Sequence, residues 1–326
     1  MDGIRMRINA GSIKLRVTTK DGSPCELWND GKKIAEMQSD NWENIAVQNN
    51  AEEIIIKGYD IQELDCCGSK LTALDISGLT SLKELYCYNN QLTSLAVSGL
   101  TSLQWLDCSD NQLTTLNVNG CTSLQWLDCE HNQLTALNAS GCTSLQELYC
   151  NNNQLTTLNV NGCTSLQWLD CYDNRLTALN VNGCTSLQWL DCSFNQLTAL
   201  DVSGLVNLED IDCCENGLTE LNVRNCRALQ RLNCSFNRLA ALDASGCTSL
   251  QKLYCNNNKL SAEDLKKIFE DLPERKEKCG RVLLYKDGDS NYKDFTQPPE
   301  LAAAFKAAKA KGWRLYKINN DDLMEL

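Results

Sequence analysis

Histidine is almost absent from this chain: His131 is the single copy in 326 residues. General acid–base and nucleophilic chemistry most often runs through histidine, and His131 has no apparent Ser or Cys nucleophile as a partner. A Walker-type glycine loop, HExxH and G-x-S-x-G are all missing, so no enzymatic activity is expected. No apolar run approaches the roughly 18 residues that a membrane-spanning helix needs. The opening MDGIRMRINAGSIKLRV lacks the apolar core of a signal peptide; either the protein is cytoplasmic or a leader has been removed. Basic residues are scarce where most of the chain lies. Residues 61–260 carry 9 basic and 19 acidic side chains, which accounts for most of the net charge of −12. Residues 1–60 carry 8 and 10, and residues 261–326 carry 13 and 13. That balance argues against nucleic acid or an anionic membrane as partner, because both reward Lys and Arg.

What the chain has in abundance is repetition. Ten 21-residue units begin at residues 61, 82, 103, 124, 145, 166, 187, 208, 229 and 250, without insertion or deletion. Clear copies are Leu103-Gln-Trp-Leu106-Asp-Cys108-Ser-Asp-Asn111 and Leu187-Gln-Trp-Leu190-Asp-Cys192-Ser-Phe-Asn195. A fixed short period makes each unit one turn of a coil that buries its apolar side against its neighbours. Alternating Leu-x-Leu-x-Cys gives a short parallel strand with its apolar side chains inward. Asparagine recurs at the ninth position from Asn90 to Asn258, with Ser69 in the first unit. An amide there can bond backbone groups of the bend that burial would leave unpaired. The second half of each unit, as in Leu113, Leu116, Val118 and Gly120, is too short for a long helix and predicts extended segments and turns. Residues 82–144 and 145–207 align as two three-unit blocks, which points to a duplication.

The pattern resembles the leucine-rich repeat, LxxLxLxxN, over about 200 of the 326 residues. It is similar to bacterial leucine-rich-repeat proteins of the short class, internalin-like in general architecture. The resemblance implies an α/β solenoid that is mostly β: a right-handed coil with a parallel β-sheet on its concave face. It also implies a bacterial protein, commonly surface-attached or secreted; an intracellular scaffold is the alternative.

Twenty cysteines would ordinarily point to disulfides or metal. Ten occupy the sixth repeat position, from Cys66 to Cys255, and six the nineteenth: Cys121, Cys142, Cys163, Cys184, Cys226 and Cys247. Both positions face inward, where cysteine behaves as a small hydrophobe suited to a narrow coil. Rungs about 4.8 Å apart do not by themselves forbid bridges, but parallel Cβ vectors predict reduced ladders. A linear ladder without histidine also cannot supply tetrahedral zinc. Cys67 and Cys214 fall on the seventh position and are expected to be the most reactive thiols.

On a leucine-rich-repeat strand the third, fifth and seventh positions point outward, with the eighth at the edge. The third and fifth pair an aromatic with a carboxylate in six successive units: Glu84/Tyr86, Trp105/Asp107, Trp126/Asp128, Glu147/Tyr149, Trp168/Asp170 and Trp189/Asp191. Asp210/Asp212, Arg231/Asn233 and Lys252/Tyr254 follow, with Tyr88, Glu130, His131, Tyr172, Phe194 and Phe236 at the seventh and eighth positions. Exposed tryptophans are enriched at binding hot spots, and carboxylates select basic or hydrogen-bond-donating partners. The functional reading is a face for a protein or peptide ligand rich in Lys or Arg, with Phe194 at its margin. The plain reading is that duplication copied Trp and Asp and that stacking between rungs only stabilises the sheet. A glycan, stacked on the aromatics, is the alternative ligand. Calcium at Asp107/Asp128 or Asp170/Asp191 is a lesser one, and no cofactor or metal is expected.

An open coil needs end caps. Residues 1–60 are expected to be a β-rich N-terminal cap, with strands near Ile13–Thr19, Cys25–Trp28 and Lys33–Met37. Asp21-Gly22 and Asp30-Gly31 would be its hairpin turns. Residues 61–260 are the repeats. Residues 261–326 are expected to be a βα C-terminal cap: a helix from Ala262 to about Asp271, strands at Arg281–Tyr285 and Arg314–Ile318, and a helix over Pro299–Lys311. The basic cluster Lys266, Lys267, Arg275, Lys276 and Lys278 reads as a solvated helix face. The whole is expected to be a monomeric interaction module.

Overall fold

A computed structural model describes residues 2–48, 53–275 and 279–326. Two compact units divide the chain, Met1–Leu166 and Gln167–Leu326.

The first unit opens with eight strands: β1 (Asp2–Ile8), β2 (Ser12–Thr19), β3 (Cys25–Asn29), β4 (Lys32–Met37), β5 (Glu43–Ala46), β6 (Ile54–Gly58), β7 (Ile61–Asp65) and β8 (Leu71–Asp75). Period-two burial of Ile4, Met6 and Ile8, then of Ile13, Leu15 and Val17, marks strands with one face in a core. β4, β3, β6, β1 and β8 form one antiparallel sheet in that order, while β2 pairs antiparallel with both β5 and β7. Asp30-Gly31, with φ of 45° and 79°, joins β3 to β4 as a hairpin. Asp21-Gly22 does not make the expected hairpin. It turns the chain from β2 to β3, which pair with different partners, so turn chemistry alone could not reveal the change of sheet. β7 and β8 are the two halves of the first repeat, and each is paired by a strand from residues 1–60.

From there the coil runs in register. β7 pairs in parallel with Glu84–Tyr86, followed by Trp105–Asp107, Trp126–Asp128 and Glu147–Tyr149. The return segments form extended pairs such as Ala136–Asn138 with Thr157–Asn159. In the second unit Trp168–Asp170 pairs with Trp189–Asp191, then Asp210–Asp212, Arg231–Asn233 and Lys252–Tyr254. The sheet continues through Gly280–Lys286 and Trp313–Asn319 in parallel, and ends with Asp322–Glu325 antiparallel. Helices α1 (Ala262–Asp271) and α2 (Pro299–Ala310) connect the last parallel strands, and a Ser261/Asp264 capping box starts α1. Lys266 and Lys267 pair with Glu263 and Asp271 on α1, at 3.2 and 2.8 Å. Arg275 lies beyond the helix and donates to the Thr248 carbonyl; Lys276 and Lys278 fall outside the described residues. Among the described residues no helix is long and apolar enough to cross a membrane. The fold is a mostly β leucine-rich-repeat coil.

Leucines such as Leu103, Leu106 and Leu113, with Cys108 and Val118, are fully buried. Asn132 shows what the ninth position does. Its Nδ2 donates to the carbonyls of Cys108, Cys129 and Glu130 at 3.0, 3.2 and 3.1 Å, and its Oδ1 accepts from Leu113 N at 2.9 Å. Asn195 repeats this set in the second unit. Asn291, outside the 21-residue spacing, takes the same role in the last part of the chain. It donates to Cys255 O and Leu284 O and accepts from Leu260 N.

Candidate binding face

All twenty cysteines are free thiols. Those of the ladders do more than fill space. Cys108 Sγ lies 3.4 Å from Asp128 O on the next rung, and Cys121 Sγ lies 3.2 Å from Val97 O on the previous one. A thiol thus spans rungs as a weak donor, which valine or alanine cannot do. Burial holds these thiols in their neutral form; the Cys121 pKa is pushed up to about 11. Cys67 and Cys214 depart from expectation. Both are half-buried, and burial raises their pKa values, so their thiolate is disfavoured; Cys279 is the exposed thiol.

The outward columns are set by the strand register. In the first unit Trp105 opposes Trp126 and Asp107 opposes Asp128. The Trp105 and Trp126 rings stack with centroids 5.9 Å apart and planes 19° from parallel, and Tyr149 tilts onto Trp126 at 5.8 Å. In the second unit Trp168 and Trp189 stack more closely, at 4.4 Å and 16°. Trp105 and Trp168 keep 37% and 38% of their surface exposed. The structure therefore brings the expected aromatic residues together within each unit.

The carboxylates beside them differ from a freely charged face. Tyr86 Oη donates to Glu84 at 2.9 Å and Tyr149 Oη to Glu147 at 2.8 Å, so each Tyr/Glu pair is internally bonded. Asp107 accepts from Ser109 N and Oγ at 3.1 and 2.6 Å, Asp191 from the same groups of Ser193, and Asp128 from Glu130 N at 3.0 Å. Asp170 accepts from Tyr172 N. Burial raises the pKa of Asp107 and of Asp191 despite these bonds. Asp128 is pushed up to about 7, chiefly by burial, with the Glu130 N–H opposing and the nearby Asp107 charge adding. Counting residues assigns these carboxylates full charges and leaves out their desolvation. The Asp-Cys-Ser spacing at 107–109 and 191–193 was the signal available, since a serine two residues on can bond an aspartate. Farther along, Arg231 bridges Asp210 at 2.8 Å and Asp212 at 2.7 Å. Burial works against the Asp210 carboxylate, and the Arg231 bond partly offsets it.

The seventh position is less exposed than expected. Ser109, Asn151, Ser193 and Ser235 are buried, because they bond the carboxylate or amide beside them. The eighth position leaves the strand altogether. Asp110, His131, Asp173, Phe194, Glu215 and Phe236 all take left-handed backbone, with φ between 49° and 54°. Phe194 thus stands on the turn beyond the strand, with 54% of its surface exposed. Among the described residues no group of three or more His, Cys, Asp or Glu side chains is placed to hold a metal ion.

The model for paired leucine-rich repeats matches residues 122–163 and 227–267, and that for a single leucine-rich repeat matches residues 102–124. No curated protein matches significantly. Among solved structures, the functional domain of InlJ from Listeria monocytogenes, which includes a cysteine ladder, is similar at 31% identity and a TM-score of 0.61. The match covers 76% of this chain and 59% of that one. YopM from Yersinia enterocolitica is similar at 27% identity and a TM-score of 0.52, covering 74% of this chain and 46% of that one. The chain therefore spans less than two thirds of either. Proteins built of leucine-rich repeats bind protein partners on extended repeat surfaces and are generally not enzymes. On the repeats, the coil and these likenesses together, the chain is a leucine-rich-repeat protein of the short 21-residue class, internalin-like in architecture.

Proposed function

We propose that this protein is a non-enzymatic interaction module that holds a protein or peptide partner on its parallel strands, through Trp105 and Trp126 in the first unit and Trp168 and Trp189 in the second. The observation that carries the reading is the pair of stacked tryptophan steps, each with one ring over a third exposed, flanked by carboxylates. Apolar area of that size left in water is worth most when a partner covers it. Glu84, Tyr86, Asp107, Asp128, Glu147, Tyr149, Asp170 and Asp191 supply acceptors and orientation around the rings. Residues 1–60 and 261–326 act as caps that pair the terminal rungs and cover their leucines, and the module works as a monomer.

The carboxylates give the partner's chemistry a pH signature. A Lys or Arg placed beside Asp128 favours its ionised form and must displace its proton below about pH 7. Binding of a basic protein partner therefore strengthens as pH rises from 6 to 8 and weakens with salt. A glycan stacked on the tryptophans shows neither dependence. Capture from host extracellular proteins, bacterial lysate and a glycan array, at two pH values and two salt concentrations, separates these ligands. Retention insensitive to both would remove the basic partner from the proposal.

A further inference from the structure

The eighth position of the second unit carries an arrangement that the coil itself does not require. In chain order it reads Asp173, Phe194, Glu215, Phe236, one residue from each successive rung, and all four are exposed. Backbone bonds hold the four in register: Asp173 N to Ser193 O at 3.1 Å, Phe194 N to Cys214 O at 3.0 Å, Glu215 N to Ser235 O at 3.2 Å and Phe236 N to Asn256 O at 3.0 Å. Rungs in such a ladder repeat every 4.8 Å or so. Acid and phenylalanine therefore alternate along one column.

Two phenylalanines here are unfavourable for the protein alone. The turn demands left-handed backbone, with φ of 51° at Phe194 and 54° at Phe236. Gly, Asn, Asp and His adopt that conformation more readily than Phe; elsewhere the column holds Gly68, Asn89, Asp110, His131, Asn152 and Asn257. Burial repays each ring only in part, since 54% and 41% of their surfaces remain exposed. A strained aromatic left this exposed is accounted for by an external surface that covers it.

We infer that this column docks an amphipathic helix of a partner protein, with Lys or Arg against Asp173 and Glu215 and apolar side chains against Phe194 and Phe236. Charge complementarity sets the basic positions. Spacing selects the helix: its turns advance about 5.4 Å, so against rungs of about 4.8 Å one helix face slips by only about 1.8 Å over three rungs. Successive turns along one helix face then meet acid, Phe, acid, Phe. An extended strand presents same-face side chains about 6.8 Å apart and falls out of step by about 6 Å over three rungs. The inference rests on the proposed function only in taking the repeats as a protein-binding scaffold. It uses a different column, so the two can fail separately.

The test uses the full chain and a helix-stabilised, fluorescein-labelled peptide of about 14 residues. The peptide carries Lys on the first and third turns of one face and Leu on the second and fourth. A scrambled peptide of the same composition, with that face broken up, serves as control. Fluorescence anisotropy at low salt is expected to show saturable binding of the ordered peptide and at least about tenfold weaker binding of the scrambled one. Phe194→Asn with Phe236→Asn is expected to weaken the ordered peptide about tenfold or more. Asn suits the turn, so this variant should fold, and an unfolding transition at or above that of the parent confirms it. Asp173→Asn with Glu215→Gln should flatten the salt dependence. The Trp105/Trp126/Trp168/Trp189→Ala variant should bind the peptide as the parent does. No binding by the parent, equal binding of the two peptides, or undiminished binding by the Phe variant overturns the inference. Loss in the Trp variant alone also overturns it, and moves the helix to the sheet face.

Discussion

Asn132 and Trp126 belong to the same repeat unit and both recur, asparagine in nine of the ten units and tryptophan in four, and they answer to different requirements. Asn132 satisfies the coil: three carbonyls and one N–H from adjacent turns converge on its amide. The Trp126 side chain meets its neighbours Trp105 and Tyr149 through ring contacts on an outward face. Repetition alone does not distinguish a residue that the backbone demands from one that duplication has copied. The number of internal bonds does.

Removing the amide is the strongest way to test that contrast. Asn132→Ala leaves several buried backbone groups without partners and is expected to destabilise by about 4 kcal/mol, measured by urea unfolding. A loss under about 1 kcal/mol would mean that water or relaxation replaces the ladder bonds. The next effect sharpens the contrast within the outward face. The Asp128 pKa is raised from an ordinary 3.8 to about 7, so the folded state holds a proton there that the unfolded chain releases. Stability from this site is full below pH 3.8 and is lost as pH rises through about 7. Asp128→Asn, which keeps an acceptor for Glu130 N, should stabilise by up to about 4 kcal/mol at pH 8 and by nothing below about pH 4. An unfolding series across pH reads both the size and the sign. A smaller change is expected at Trp105→Ala, about 1 kcal/mol for the lost stack, read by the same unfolding assay. The smallest runs the other way: Phe194→Asn relieves a bulky left-handed residue and should gain about 0.5 kcal/mol.

The interior of the coil was legible from the sequence because its rules are local and periodic. Leucine spacing gave the strands, the ninth-position asparagine gave the bends, and Ser261 with Pro299 gave the helix starts. Three features stayed hidden. β1 and β5 pair with segments distant in sequence, so no local pattern announces them. Asn291 joins the asparagine ladder from outside the repeat, where only the path of the chain places it. The spacing of the cysteines announces packing, whereas their thiols also reach carbonyls of adjacent rungs.

The outward face was half legible. Its aromatic columns follow from counting, and the rings do stack. The state of its carboxylates does not follow from counting, because charge depends on burial and on bonds made by the next two residues. Six acid-aromatic pairs in the sequence became two Tyr/Glu hydrogen bonds and a set of desolvated aspartates held by backbone. Phe194 moved from the margin of that face to a turn of its own because the eighth position is left-handed in each of these units.

The measurement that tests the central claim most directly compares this protein with its Trp105/Trp126/Trp168/Trp189→Ala variant in the same affinity capture. Both are first checked by urea unfolding, so that the variant is used only as a folded coil. A partner held by the parent and lost by the folded variant is the predicted result, and it makes the tryptophan columns a recognition surface. Equal capture by both proteins would contradict the account and leave the tryptophans as stacking that stabilises the sheet.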